Sequence, residues 1–199
     1  MCGRFVLISE WAKIAEQFAL RGTNQSSVSA GDKHPGQNTI CIISGDSSNF
    51  AVDLHWGFAP PWAKAKPPGK LLINARAETI TEKPMFREAF KKRRCLVPVD
   101  GFYEWSKEKN QYYFYLQNRN PFGLAGIYEP DIAAGTAHPS FVIITINPNE
   151  LIAPLHNRMP LIIPADKQHL WLDNSKYDPV TLQSLFVPYP GSEMAMRRI

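Results

Sequence analysis

The second residue of the chain is a cysteine, Cys2, and its position gives it two reactive groups. Removal of Met1 leaves a thiol and a free α-amine on adjacent carbons. An α-amine has a pKa near ~8, against about 10.4 for a lysine, so a useful fraction is neutral at pH 7. A neutral amine attacks an aldehyde to give a Schiff base. The thiol can then close on the imine carbon as a five-membered thiazolidine, an intramolecular step favoured by its high effective molarity. Taken alone, Cys2 equally fits an incidental small residue near a chain end.

Other residues can serve such chemistry. Asn74-Ala-Arg76-Ala-Glu78 follows the apolar Leu71-Leu-Ile73. On a strand, residues 74, 76 and 78 project to one side. They offer an amide, a phosphate-binding guanidinium and a carboxylate, although a solvated or salt-bridged sheet face has the same pattern. In Gly101-Phe-Tyr-Glu104-Trp105 a carboxylate lies between aromatics. Partial desolvation raises its pKa and suits general acid–base work; an outward-facing strand residue is the plainer alternative. In Leu155-His156-Asn-Arg158-Met-Pro160, His156 can move protons near pH 7 and Arg158 can pair with phosphate or carboxylate. A lone histidine is nonetheless more often structural. Trp62 and Phe86 add aromatic surface near basic residues, on which single-stranded bases can stack. Trp56 and Phe58 read as core.

These residues need a scaffold. The 199 residues, 44% hydrophobic and 20% charged, describe one soluble globular domain spanning 1–199. No apolar run reaches the roughly 20 residues of a membrane span, and the N-terminus has no signal-peptide pattern. A cytoplasmic monomer is expected. Cys2, Cys41 and Cys95 are odd in number and far apart, which argues against a disulfide framework or a zinc cluster. Cys41 and Cys95 fall in apolar strand patterns and read as buried, inert thiols. The net charge of +4 permits a nucleic-acid partner, and Lys91-Lys-Arg-Arg94 is either part of that surface or a solvated helix end.

Strands are expected at 39–44, 50–56, 94–98, 101–105, 111–117, 122–128 and 140–147. Ser9 is expected to cap a helix carrying Trp11, Ile14, Ala15 and Phe18, and Thr81 a helix running to Lys92. Residues 21–38 and 59–69 read as long loops. The last third reads as helical, with a short helix from Asn149 to His156 and others at 165–172 and 179–187, the last capped by Asp178. The fold class is α+β: a mostly antiparallel, barrel-like sheet with peripheral helices.

The segments Met1-Cys-Gly-Arg-Phe5, Trp56-Gly-Phe-Ala-Pro-Pro-Trp62, Ile73-Asn-Ala-Arg-Ala-Glu78, Arg94-Cys-Leu-Val-Pro98, Gly101-Phe-Tyr-Glu-Trp105 and Leu155-His-Asn-Arg-Met-Pro160, in this order, resemble the SRAP family of SOS response-associated peptidases. The resemblance implies binding of single-stranded DNA with abasic sites, removal of Met1 by the protein itself, and a thiazolidine crosslink to the abasic aldehyde. It implies Cys2 as nucleophile and Asn74 as the residue positioning amine and sugar. Glu104 becomes the acid–base for ring opening and Met1 removal, and His156 the proton donor to the sugar oxygen. Arg4, Arg76 and Arg158 become phosphate contacts. No cofactor or metal is implied. Where the family carries a Tyr-Asn-x-Ala-Pro segment this chain has Gly31-Asp-Lys-His-Pro-Gly36, so Asp32 is expected to replace an asparagine contact and weaken DNA binding. The family also continues past Ile199 with a further strand, so a C-terminal truncation is expected.

Two other classes fit part of the pattern. N-terminal-nucleophile amidohydrolases also begin Met-Cys-Gly, but no later Asn-Gly pair suits an oxyanion hole here. A non-covalent single-stranded DNA-binding module would keep the basic and aromatic residues and leave Cys2 idle.

Overall fold

The computed structural model describes residues 2–21, 29–45, 48–58, 71–130 and 139–199. Two sheets form the body. The first comprises β1 (Phe5–Leu7), β2 (Gly31–Lys33), β7 (Gly101–Trp105), β8 (Gln111–Leu116) and β13 (Met194–Arg198), in the spatial order β13-β8-β7-β1-β2. The second comprises β3 (Asn38–Ser44), β4 (Asn49–Trp56), β5 (Asn74–Arg76), β6 (Arg94–Val99), β9 (Phe122–Glu129), β10 (Ser140–Ile146), β11 (Met159–Pro160) and β12 (Ile162–Ile163). Within it β10 pairs with both β4 and β9, β9 with β6, β6 with β3, and β3 with β4. The five strands therefore close on themselves, which is the expected barrel-like core.

Closure explains the sequence of the central strands. Every residue of β6 and β10 is buried, so both strands read as continuous apolar runs rather than as alternation. The pairing is mixed: β10 runs parallel to β4 and then to β5, placing Ile143 opposite Asn74 and Thr145 opposite Arg76. Cys41 and Cys95 are buried thiols in this core.

Helices lie outside the ring: α1 (Trp11–Gln17), α2 (Pro84–Lys92), α3 (Gln168–Leu172) and α4 (Pro179–Ser184). Asp178 caps α4 through bonds from Val180 N and Thr181 N, as expected. Ser9 does not cap α1; Glu10 holds the N-cap position, and Ser9 binds Asp100 instead. Thr81 does not cap α2 either. Lys83 precedes it, and Pro84 starts the helix, where a missing N–H costs nothing.

The last third is less helical than its sequence suggested. Residues 150–155 are turns, and β11, β12 and β13 are short strands. Asn149 organises the turns by accepting from Ile152 N at 3.0 Å and donating to Tyr189 O at 2.7 Å. The segment 21–38 likewise contains β2, paired with β1.

The basic run ending at Arg94 divides. Arg93 pairs with Glu129 at 2.6 Å, and Lys91 with Glu88 at 3.4 Å. Arg94 is fully buried. Its guanidinium donates to the carbonyls of Phe90, Lys91 and Trp171 at 2.8–2.9 Å, and to that of Asp173, so it satisfies the C-terminal turns of both α2 and α3. Burial lowers its pKa to about 10. Among the described residues no helix is long and apolar enough to cross a membrane.

Candidate active site

Cys2 is fully buried just before β1. Its carbonyl oxygen accepts from Asn74 Nδ2 at 2.9 Å, which ties the chain start to the first residue of β5. Trp56 fixes that strand from behind, since its indole N–H donates to Ile73 O at 3.0 Å. Asn74 Oδ1 is buried and accepts no hydrogen bond among the described residues. Burial and the neighbouring Glu104 charge push the Cys2 thiol well above its ordinary pKa, so it stays S–H at neutral pH.

Glu104 lies on β7, 2% exposed, opposite Tyr112. Burial raises its pKa, against the opposing influence of nearby positive charge that includes His156. His156 Nδ1 is 3.9 Å from Glu104 Oε1. That separation is too long for a hydrogen bond but close enough for charge coupling. The imidazole is oriented by the backbone of Arg158: Nδ1 lies 2.9 Å from its carbonyl oxygen and 3.1 Å from its nitrogen. A protonated Nδ1 donates to the former, and an unprotonated one accepts from the latter. Either charge state of the ring is thereby held in the same place.

Asn74 bonds to the Cys2 backbone, the Glu104 charge reaches the Cys2 thiol, and His156 approaches Glu104, so these candidate residues, carried on separate strands and turns, form one neighbourhood. The phosphate contacts divide. Arg76 is exposed on the same side of β5 as Asn74 and makes no ion pair among the described residues. Arg4 is only partly exposed, sits over the Tyr103 ring at 4.4 Å, and is ion-paired with Asp32. Asp32 faces outward on β2, so in this structure its carboxylate occupies a guanidinium that an anion would otherwise take.

Arg158 departs from its expected role. It is 8% exposed, and its fork closes on Glu78 at 2.7 and 2.9 Å, with Asn147 Oδ1 at 3.1 Å and the Thr145 carbonyl as further partners. Both terminal nitrogens are so occupied, and Nε, which has no partner among the described residues, is buried, so no open edge faces a phosphate; the side chain anchors the His156 turn to the segment following β5. Glu78 is correspondingly held below the usual carboxylate range by its bond to Arg158. Phe86 also departs: it is 4% exposed on α2 and packs on Phe58 with centroids 6.1 Å apart, so its ring is core rather than a stacking surface. Trp62 lies outside the described residues. Sequence reasoning missed the Glu78–Arg158 pair, because the partners are far apart in the chain and each had a plausible separate use.

Comparison with known proteins gives the family. The family model for SOS response associated peptidase (SRAP) matches residues 1–199. The chain is 40% identical over 205 residues to abasic site processing protein YoqW of Bacillus subtilis, covering 98% of this chain and 90% of that protein. It is 29% identical over 141 residues to abasic site processing protein YedK of Escherichia coli, covering 69% of this chain and 62% of that protein. Against abasic site processing protein HMCES of Xenopus tropicalis the identity is 30% over 178 residues, covering 71% of this chain and 53% of that protein. A crystal structure of a Bordetella bronchiseptica protein superposes with a TM-score of 0.84 at 24% identity, covering 100% of this chain and 99% of the other. One from Bacteroides thetaiotaomicron gives 0.81 at 28%, covering 100% and 92%. The chain belongs to the SOS response associated peptidase (SRAP) family.

Proposed function

We propose that this protein processes abasic sites in single-stranded DNA by trapping the ring-opened sugar aldehyde on Cys2. The observation that carries the reading is the convergence of the Cys2 backbone, the Asn74 amide, a buried Glu104 and His156. The names of the relatives, abasic site processing proteins from bacteria and a vertebrate, support the substrate class.

The chemistry begins with hydrolysis of the Met1–Cys2 amide. Glu104 takes a proton from water as the hydroxide adds, and returns it to the departing α-amine. The closed sugar then opens, with His156 or the protonated Glu104 donating to the ring oxygen as the anomeric hydroxyl gives up its proton. The neutral α-amine adds to C1′ and water leaves, forming a Schiff base. The Cys2 sulfur adds to the imine carbon, and the thiol proton passes to the imine nitrogen. One water is lost per thiazolidine formed. Burial disfavours the thiolate, and in this order the sulfur acts only after the amine has formed the imine, its proton passing to the imine nitrogen as the bond forms. Asn74 steadies Cys2 through its amide N–H, and its unused Oδ1 is an acceptor for the α-amine that Met1 removal frees. Arg76 and Arg4 supply positive charge for the flanking phosphates.

The test is incubation with a single-stranded oligonucleotide containing one abasic site, then a denaturing gel and intact mass. The expected product has lost Met1 and gained the oligonucleotide less one water. Protein with processed Met1 that leaves no denaturant-stable adduct would overturn the reading.

A further inference from the structure

The outer face of the five-stranded sheet carries an arrangement that the Cys2 site does not use. Strand pairing sets Tyr103 opposite Tyr113, and Tyr113 opposite Arg197. Arg4 extends the same row, since its carbonyl accepts from Tyr103 N at 2.9 Å. Side chains alternate along a strand, so this row lies on the face opposite Phe102, Glu104 and Phe114. It spans three strand spacings, roughly 14 Å, and starts two residues from Cys2.

The row is built as stacked cations and rings. The Arg4 guanidinium lies 4.4 Å from the Tyr103 centroid, and that of Arg197 5.3 Å from Tyr113. Tyr103 and Tyr113 touch at 5.1 Å, and Tyr113 stacks on Tyr115 at 5.5 Å. Arg119 covers Tyr115 at 3.7 Å. Gly101 lets the Tyr113 ring lie flat, since a Cβ there would fall 2.4 Å from the ring.

Arg4 is ion-paired with Asp32, but the cations farther along the row are unspent. Arg119 and Arg197 are exposed, and neither pairs with a carboxylate among the described residues. Asp100, whose charge reaches Tyr113, is occupied by the Ile8 and Ser9 backbone N–H groups at 2.6 and 2.8 Å. Lys13 adds a further cation, its Nζ donating to Arg119 O at 3.0 Å. Stacking on a tyrosine uses the flat face of a guanidinium and leaves its N–H edges for oxygen acceptors. Because the cations cover the rings, the face offers little for base stacking. Its chemistry matches a repeating phosphate and reads no sequence.

We propose that this face is a second nucleic-acid contact surface, on which Arg197 and Arg119 hold the phosphodiester backbone of the strand that leaves the Cys2 site past Arg4. The inference rests on the proposed DNA-binding function, and continuity with Arg4 selects nucleic acid over other polyanions. The test measures anisotropy of undamaged single-stranded oligonucleotides of increasing length with wild type and with Arg119→Gln/Arg197→Gln. Short oligonucleotides should bind both proteins equally. Long ones should bind the variant about fivefold more weakly, with a log–log salt slope smaller by about 1.4, or 0.7 per lost phosphate contact. The Arg119→Lys/Arg197→Lys protein should recover most of the loss, which a collapse of the tyrosine stack would not permit. Equal affinities at every length, equal weakening at every length, or no recovery by lysine would each overturn the proposal. If wild type shows the length dependence but forms no abasic adduct, the Cys2 reading fails and this surface stands.

Discussion

The Glu104 carboxylate and the His156 imidazole approach to 3.9 Å inside the protein, with the carboxylate only 2% exposed. Burial raises the pKa of Glu104, while the charge of a protonated His156 opposes that rise. At this separation the two groups interact by charge, and a proton passing between them needs a closer approach or a bridging water.

Glu104 binds its proton more tightly in the folded protein than in the unfolded chain. Its contribution to stability is therefore complete below about pH 4.3 and disappears as pH rises through the higher native value. Glu104→Gln should flatten that slope and raise stability at neutral pH, measured by urea unfolding across pH. The same variant should slow adduct formation by about 100-fold, the scale of a lost general acid–base. A variant with an unchanged crosslinking rate would remove Glu104 from the mechanism.

Cys2→Ala keeps an α-amine at the processed terminus and deletes only the sulfur. The expected outcome is loss of the denaturant-stable adduct with retention of an imine that borohydride reduces to a permanent bond. An adduct that survives denaturation without reductant would show that the thiol is not the second nucleophile.

Glu78→Gln leaves Arg158 with a weaker partner at a site where the arginine is buried and the carboxylate half-exposed. Solvent screening limits the cost to about 1 kcal/mol of unfolding free energy. Because Arg158 orients His156, the crosslinking pH profile should also shift, which a purely structural loss would not cause. The native pair is weakened by acid: Glu78 titrates below the usual carboxylate range, so its contribution is lost as pH falls through that lowered value.

Asp32→Asn releases Arg4 from its ion pair. Affinity for undamaged single-stranded DNA should rise by about threefold at low salt, with the gain shrinking as salt screens the pair. Equal affinity of both proteins at low salt would mean that Asp32 does not compete with phosphate.

Local pattern made β3, β4 and β6 to β10 legible, because β-branched and aromatic runs between turn residues carry their own signal. The candidate site was legible as a set of residue types, of which Asn74 bonds to the Cys2 backbone and His156 approaches Glu104. What stayed hidden depends on long-range pairing. Arg158 reads as a partner for either phosphate or carboxylate until Glu78 is seen beside it, and Phe86 reads as a stacking ring until α2 turns it onto Phe58. Ser9 reads as a helix cap until Asp100 claims it. The strands β11 and β12 are two residues each, too short for any periodicity to show.

Arg94 ends α2 and α3 with one side chain, although the two helices lie far apart in sequence. Neither can fray independently, since opening either strands the same guanidinium among carbonyl groups. The amides of both final turns should exchange with solvent in a single concerted opening, at a rate tied to that of β6. The barrel and the helices α2 and α3 are in this respect one folding unit, joined at a fully buried residue.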